Sequence, residues 1–382
     1  MQIPEEFDLI RPYEPEELPE VYERLLDNPQ FRAVVGSVMP DVPFEAVAQT
    51  MRSCRTNLEF QKAFSYTIIK KLMSKASRGF DIDASAIDDT CQYTFMSNHR
   101  DIVMDSALLN VLLVDAGFPS TCEIAIGDNL LSLPWVKDLV RINKSFIVER
   151  GLPPRQMFLA SRRLSGYMHF AIEKKRESIW IAQREGRAKD SDDRTQPAIF
   201  KMMTMEGEGS AIERLRQLHI VPLAISYEYD PCDFLKAREF QLRRDVEGWQ
   251  KAPQDDIISM QTGIMGYKGR VHYHCAECID EWLLSVDSRL SGFDLYGAVA
   301  AHIDQQIHRN YCIYPANIIA ADMLGDNLHG GTYTSEERAA FEGYLNGQLA
   351  KIDLPQKDEP FLRERMLTMY ANPYRNYLKA KS

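Results

Sequence analysis

Apolar residues recur at two different spacings along the chain, and the spacing changes near residue 85. In the first 80 residues the spacing is helical: Phe60, Phe64, Ile68 and Leu72 recur at every fourth position, and the nearby lysines mostly fall off that line. Such an amphipathic helix is expected to pack its apolar stripe against other elements. Residues 1–80 are therefore predicted to form an N-terminal helical region.

Beyond residue 85, short apolar runs alternate with longer helical stretches. The runs are rich in Ile, Val or aromatic residues and have the length of buried strands, at residues 93–96, 122–126, 145–148, 178–182 and 220–227. Helices are predicted between them, at residues 102–116, 153–175 and 211–218. This alternation predicts an α/β fold with a mostly parallel, mixed sheet flanked by helices and joined by right-handed crossovers.

The last third of the chain is less regular. Helices are predicted at residues 237–252, 293–321 and 335–349, a strand at 266–274, and a loosely packed polar tail at 357–382. The predicted domain organisation is an N-terminal helical region at 1–80, an α/β core at 85–250 and a C-terminal α-rich extension at 251–382 that packs on the core.

Composition and charge limit the classes of function that the chain can have. With 382 residues and 45% hydrophobic content, the chain is long enough for a large core with helical additions. The net charge of −10 argues against general nucleic-acid binding. Residues 141–201 nevertheless hold 14 Lys and Arg against 7 Asp and Glu, a local charge of +7. This basic segment suits an anion such as phosphate, and the alternative is a solvated helix face.

Cysteine usage and hydropathy indicate the compartment. The seven cysteines make an odd, scattered set, which fits reduced thiols in the cytoplasm. Residues 1–23 are acidic and proline-rich and do not resemble a targeting segment. No apolar run approaches the roughly 18 residues that a membrane span requires. We therefore expect a cytoplasmic protein whose contact with a membrane surface, if any, is peripheral.

The first candidate for chemistry is His99, which follows the predicted strand at 93–96. Asp105 lies six positions later, at the start of a predicted helix. A carboxylate that holds one ring nitrogen of a histidine leaves the other nitrogen free to act as a general base. Six positions of a regular helix turn through roughly 600°, so the two side chains meet only if His99 lies in the turn before the helix. The alternative is a surface turn with an incidental histidine.

Further polar residues follow the other predicted strands. They lie in residues 144–150, 184–189 and 222–228. Gly186 would let the backbone approach a ligand closely, and Arg150 and Arg187 are suited to bind an anion in bidentate fashion. Because functional groups gather at strand ends in parallel sheets, these segments are expected to meet over one substrate.

Taken in order, these segments resemble the glycerolipid acyltransferases, the family of glycerol-3-phosphate and 1-acylglycerol-3-phosphate acyltransferases. The four blocks of the resemblance are NHRDIVMD, KSFIVERG, IWIAQREGRAKDS and IVPLAISYE, within residues 95–228. Phe146 and Arg150 fall on matching positions of the second block. Two departures stand out. Five residues separate His99 from Asp105 where the family has four, which leaves Asp101 as an alternative partner, and Arg187 follows Gly186 directly, so that Lys189 is a candidate for the second positive charge.

The resemblance implies acyl transfer from acyl-CoA or acyl carrier protein to a hydroxyl of glycerol 3-phosphate or lysophosphatidic acid. It implies no cofactor, no metal and no covalent acyl-enzyme, with His99 as the base and Asp105 as its partner. The implied substrate-binding residues are Arg100, Lys144, Phe146, Arg150, Glu185, Gly186, Arg187, Lys189 and Pro222. Two alternatives stay open: an enzyme of the same superfamily acting on another lipid hydroxyl, and a non-catalytic peripheral lipid-binding protein.

One further cluster contains potential metal ligands. His272, His274, Cys275 and Cys278 are compressed into seven residues, partly on a predicted strand. Structural zinc sites usually show two well-separated ligand pairs. The segment is therefore expected to contain buried thiols beside packed histidines, without a metal ion.

Overall fold

The computed structural model describes residues 3–326 and 332–382. Met1 and Gln2, which belong to the predicted N-terminal region, lie outside the described residues. Seven strands of the described part form one sheet: β1 (Phe80–Asp83), β2 (Thr94–Ser97), β3 (Glu123–Gly127), β4 (Ser145–Val148), β5 (Ile179–Ala182), β6 (Ile220–Tyr227) and β7 (Val271–Cys275).

The strand order is β1-β7-β6-β2-β5-β3-β4. All neighbours run parallel except β6 and β7, which are antiparallel. This mixed, mostly parallel sheet confirms the predicted fold class. Ser97, the last residue of β2, pairs with Ala182 of β5 and Leu223 of β6. The turn that carries His99 therefore leaves the sheet between two parallel neighbours.

The five strands predicted between residues 93 and 227 are confirmed to within one residue at each end. The strand predicted at 266–274 is confirmed only in its second half, because Gly266 ends a helix and Gly269 has a left-handed φ of +63°. β1 was not predicted, because two of its four residues are aspartates, which are depleted in strands. The strand lies at the edge of the sheet, and its aspartate side chains are exposed to solvent.

The N-terminal region is helical, as predicted. Its helices are α1 (Leu18–Leu26), α2 (Pro29–Val38), α3 (Phe44–Ser53), α4 (Asn57–Phe60) and α5 (Thr67–Ala76), preceded by a 3-10 turn at Glu5–Phe7. A π-helical segment, Gln61–Tyr66, joins α4 to α5 in one continuous helix. α1, α2 and α3 share a core with Phe60 and Phe64 from this helix.

The central helices cover both faces of the sheet. They are α6 (Met104–Asp115), α7 (Pro134–Ile142), α8 (Pro154–Phe170), α9 (Pro197–Met203), α10 (Ala211–Arg216) and α11 (Asp233–Asp245), with a 3-10 turn at Asp128–Leu130 and a π segment at Ala171–Lys175. Strand side chains alternate between the faces. Phe95 and Trp180 pack on one side with α5 and α6, whereas Met96 and Ile181 pack on the other with α8. Full burial of each such side chain contributes about 1.5–3 kcal/mol to stability.

The C-terminal helices are α12 (Pro253–Met265), α13 (Asp280–Ser285), α14 (Gly292–Arg309), α15 (Pro315–Met323), α16 (Ser335–Ala350) and α17 (Glu359–Lys381). The single helix predicted at 293–321 is wrong, because Pro315 lacks the N–H that a helix interior needs and instead begins α15. The loosely packed tail predicted at 357–382 is also wrong. α17 buries Leu362, Met366 and Tyr370 in a core shared with α11, α15 and α16.

The boundaries predicted between domains stay a prediction. Strand β1 ends at Asp83 and strand β7 begins at Val271, so the sheet takes strands from both sides of residues 85–250.

Candidate active site

Five parallel strands deliver their following residues to one edge of the sheet. β2, β3, β4, β5 and β6 all run in the same direction, so the polar residues that follow them gather together. Asn98 fixes the end of β2: its amide nitrogen donates to the carbonyl of Ile225 at 2.9 Å, and its amide oxygen accepts from Ile225 N–H at 2.8 Å. This reciprocal pair holds the residue before His99 rigidly against β6.

His99 and Asp105 meet at this edge. The distance from His99 Nδ1 to Asp105 Oδ2 is 2.8 Å. The same carboxylate oxygen also accepts hydrogen bonds from the backbone N–H of Arg100 at 2.7 Å and of Asp101 at 3.0 Å. An ionised carboxylate can only accept hydrogen bonds. In the contact with Asp105, Nδ1 of His99 therefore carries the hydrogen, and Nε2 keeps its lone pair. Asp105 is fully buried.

The turn between His99 and α6 accommodates the long spacing. Asp101 Oδ1 accepts from Val103 N–H at 2.9 Å and Met104 N–H at 2.8 Å, which caps the start of α6. Burial, and then the nearby Asp105 carboxylate, raise the pKa of Asp101. Asp101, the alternative partner for His99, is thus engaged at the helix start, whereas Asp105 lies within reach of the imidazole.

His99 lines a large cavity. The side chain is 13% exposed, and its ring packs edge-on against Trp180 with 5.8 Å between centroids. Among the described residues, Nε2 has no hydrogen-bond partner. The cavity has a volume of about 1350 Å³ and extends from the sheet edge under the N-terminal helices. A histidine so placed can exchange a proton with a molecule bound in the cavity.

The far wall of the cavity is apolar. It is formed by side chains of α2, α3 and the helix that contains the π segment, among them Val34, Val38, Val47, Met51, Phe64, Ile68 and Leu72. Val34 and Val38 remain about 41% exposed, so this wall opens toward solvent. A wall of this kind suits an extended hydrocarbon chain rather than a polar ligand.

Basic residues from the loop after β5 line the near end of the cavity. Gly186 adopts a left-handed φ of +65°, which turns the chain so that Arg187 faces inward. Arg187 is only 7% exposed, and its guanidinium makes no hydrogen bond or ion pair within residues 3–326 and 332–382. A buried guanidinium without an anionic partner is costly unless a ligand supplies one.

Lys189 lies beside Arg187. Its Nζ is 2.8 Å from Glu239 Oε2 in α11. Burial, and then repulsion from Arg187, lower the pKa of Lys189 to about 8, although Glu239 acts in the opposite direction. This lysine therefore changes charge in the range where most enzymes are assayed.

Arg150 and Glu185 also line the cavity and bind each other. The distance from Arg150 NH1 to Glu185 Oε1 is 3.0 Å, and the backbone N–H of Arg150 donates to Asp128. The Arg150 side chain crosses directly over Gly127, where an added Cβ would lie 2.8 Å from its Nε. Glycine at this position therefore makes room for the arginine.

Four of the residues predicted to bind substrate lie outside the cavity wall. Phe146 is fully buried in the core, and Pro222 lies inside the buried strand β6. Lys144 precedes β4 at the opposite edge of the sheet, where its Nζ lies 2.7 Å from Glu177. Arg100 points away from the cavity and pairs with Asp193. In each case burial or an internal ion pair keeps the side chain from a ligand in this cavity.

A second set of cavity residues was not predicted from the sequence. Glu239 and Arg243 come from α11, and Lys251 comes from the loop that follows it. Arg243 NH2 lies 2.9 Å from Glu239 Oε1, and Lys251 pairs with Asp256. Only the tertiary position of α11, which packs against α16 and α17, brings them to the site, and no local motif marks them.

The histidine–cysteine cluster is divided between two faces. His272 and His274 pair with Asp81 and Asp83 of β1, and Cys275 is buried in the core. Cys278 lies apart from them, in a group with His219 and Asp280 whose ligand atoms are all within 4.8 Å of one another. The seven-residue cluster seen in the sequence is therefore not a single ligand set in the fold.

Within the described residues, we find no helix with the length and apolar character that crossing a bilayer demands.

Comparisons with known proteins give a likeness to a solved structure. No protein-family model and no curated protein matches the chain. Among solved structures, the 1-acyl-sn-glycerophosphate (LPA) acyltransferase PlsC from Thermotoga maritima matches 77% of this chain and 96% of its own, at 12% identity and a TM-score of 0.37. The function is therefore inferred from the site itself.

Proposed function

We propose that the protein is an O-acyltransferase that moves a fatty acyl group from a thioester to a hydroxyl of a glycerol phosphate. The acyl donor is acyl-CoA or acyl carrier protein, and the acceptor is glycerol 3-phosphate or lysophosphatidic acid. One observation carries the proposal: an imidazole held by Asp105 and an unpaired, buried guanidinium, Arg187, line the same cavity.

In the proposed reaction, His99 Nε2 takes the proton of the acceptor hydroxyl while the hydroxyl oxygen attacks the thioester carbonyl. The new ester C–O bond forms, the C–S bond breaks, and the proton passes from His99 to the departing thiolate. Asp105 keeps the imidazole in the required tautomer and stabilises its charged form. No cofactor enters these steps.

The basic end of the cavity would position the acceptor. Arg187 supplies a guanidinium with no hydrogen-bond or ion-pair partner among the described residues, although the buried Asp230 carboxylate attracts it at longer range. Lys189 and Arg150 lie along the same wall. A guanidinium binds phosphate in bidentate fashion, which fixes the orientation of the glycerol hydroxyl. Positioning of this kind converts a random encounter into a directed attack.

The apolar wall supports an acyl chain as the transferred group. Val38, Phe64 and Ile68 line the same cavity as His99. A fatty chain that lies along these residues would leave its thioester near the imidazole. The resemblance of four sequence blocks to the glycerolipid acyltransferases supports the same substrate pair.

A thiol-release assay tests the proposal. Wild-type protein is mixed with a long-chain acyl-CoA and with glycerol 3-phosphate, 1-acylglycerol 3-phosphate or unphosphorylated glycerol, and free CoA and acylated product are measured together. We expect release with at least one phosphorylated acceptor and little with glycerol. Binding of acyl-CoA without product from any acceptor would favour the non-catalytic lipid-binding alternative and contradict the proposal.

The pKa of Lys189 leads to an expected pH dependence. The lysine is charged below about pH 8 and neutral above it, so its attraction for a phosphate is present at low pH and lost as pH rises through 8. We expect the KM for the phosphorylated acceptor to rise above that pH. Lys189→Arg should flatten the profile, because arginine stays charged. The check is acceptor KM measured from about pH 6.5 to 9.5; an unchanged profile in the variant would remove Lys189 from the phosphate site.

A further inference from the structure

A buried ion pair connects the two halves of the proposed active site. Arg100 directly follows His99, and Asp193 lies in the loop of residues 183–196 that carries Arg187. The distance from Arg100 NH2 to Asp193 Oδ2 is 2.8 Å, and both side chains are almost completely buried, at 6% and 0% exposed. Neither side chain lines the cavity.

On one side, Arg100 is part of the cradle around Asp105. Its backbone N–H donates to Asp105 Oδ2 at 2.7 Å, the same oxygen that holds the His99 ring. Its backbone carbonyl accepts from Lys236 Nζ at 3.2 Å. A shift of Arg100 would therefore move both the base and the carboxylate that orients it.

On the other side, Asp193 is anchored by the segment around the end of α14. The Tyr311 hydroxyl donates to Asp193 Oδ2 at 2.5 Å, and His308 Nε2 lies 2.9 Å from the Asp193 carbonyl oxygen. The Arg100 guanidinium lies over the Tyr311 ring, 5.7 Å from its centroid. These contacts close the ion pair off from solvent.

The loop of residues 183–196 is also attached to two C-terminal helices. Asp304 accepts from the Thr195 backbone and hydroxyl at 2.8 and 2.6 Å, and Asn372 donates to the Asp190 carbonyl at 2.9 Å. Those partners belong to α14 and α17, which carry no proposed catalytic group. Arg100 instead connects the loop to the base itself.

We infer that Arg100 and Asp193 are positioning residues that hold the His99 turn and the Arg187 loop at one fixed separation. The inference rests on the proposed function. A base and an anion site on different loops act on one small acceptor only if the distance between them is constant, and a misplacement of about 1 Å can lower the rate about 10²-fold. Buried ion pairs contribute little net stability, so a role in geometry accounts better for this one.

The test compares Asp193→Asn with a matched control, Glu177→Gln. The control breaks the ion pair between Lys144 and Glu177, 2.7 Å long and with Lys144 similarly buried, at the opposite edge of the sheet. We expect Asp193→Asn to lower kcat by about 10- to 100-fold while the KM for acyl-CoA stays the same. Glu177→Gln should leave kcat unchanged and should lower thermal stability by less than Asp193→Asn does, because the Glu177 side chain is 23% exposed and that of Asp193 is 0% exposed.

Amide hydrogen exchange gives a second readout that needs no turnover. In Asp193→Asn, exchange should accelerate both in residues 99–104 and in residues 184–192, whereas Glu177→Gln should change neither segment. Tyr311→Phe removes one hydrogen bond to Asp193 but keeps the ion pair, so it provides a milder variant if Asp193→Asn does not fold. Arg100→Lys should restore part of the rate that Arg100→Met loses.

The outcomes distinguish a failure of the positioning role from a failure of the proposed function. If Asp193→Asn and Glu177→Gln lower kcat and stability in the same proportion, and the exchange of residues 99–104 does not change, the positioning role is refuted. If the wild-type protein transfers no acyl group, the proposed function fails, and the exchange data alone decide whether the ion pair couples the two segments.

Discussion

Replacement of His99 by Ala is expected to slow acyl transfer by about 10²- to 10⁴-fold, the usual share of general base catalysis. The side chain is only partly buried and makes one hydrogen bond, to Asp105, so the fold should survive its loss. Initial rates of thiol release under saturating donor and acceptor measure the effect on kcat, and far-ultraviolet circular dichroism checks the fold.

The chain supplies a matched control for this variant. His219 forms another histidine–aspartate pair, with its Nδ1 2.5 Å from Asp280 Oδ2, outside the cavity. His219→Ala should leave the transfer rate unchanged. Equal losses in the two variants, or a near-normal rate in His99→Ala, would show that the imidazole in the cavity is not the base.

The second large effect is expected at Arg187. Arg187→Met should raise the KM for a phosphorylated acceptor by about 10- to 100-fold, because hydrogen bonds to charged groups contribute about 1.5–3 kcal/mol and 1.4 kcal/mol corresponds to tenfold. The rate with unphosphorylated glycerol should not fall. Steady-state kinetics with both acceptors give the two values, and Arg289→Met, at an exposed position away from the cavity, serves as the control.

The stability of the Arg187 variant separates a binding role from a structural one. Among the described residues this guanidinium has no hydrogen-bond or ion-pair partner, so its removal costs the folded state no such contact. We expect a thermal midpoint at least equal to that of the wild type, as is common where a binding group is kept at the expense of stability. A clear drop in the midpoint together with an unchanged acceptor KM would mark Arg187 as structural.

Much of the fold was predictable because local signals agreed with the global arrangement. Strands β2 to β6 are apolar runs bounded by turn residues, and β2 and β6 are buried at every position, as such runs are in a parallel sheet. β1 and the break before Pro315 were missed for local reasons. In β1, two aspartates weaken the strand pattern. Around Pro315 the sequence is apolar on both sides, so it resembles one long helix, although the proline in fact begins a second helix.

The site was only partly predictable. The turn that holds His99 follows directly from strand β2, so its position at the sheet edge could be inferred from the chain. Charge alone, however, does not show which basic residues face a cavity: Arg100 and Arg187 look equivalent in the sequence, yet one has a buried aspartate as partner and the other has none among the described residues. Residues such as Glu239 reach the site through tertiary packing alone.

The most direct test is an experimental structure of the protein with glycerol 3-phosphate bound. We expect the phosphate on the Arg187 guanidinium, with a glycerol hydroxyl oxygen about 3 Å from His99 Nε2, within hydrogen-bond reach of the base. A phosphate bound away from Arg187, or a hydroxyl that no rotation brings near the imidazole, would contradict the proposed function.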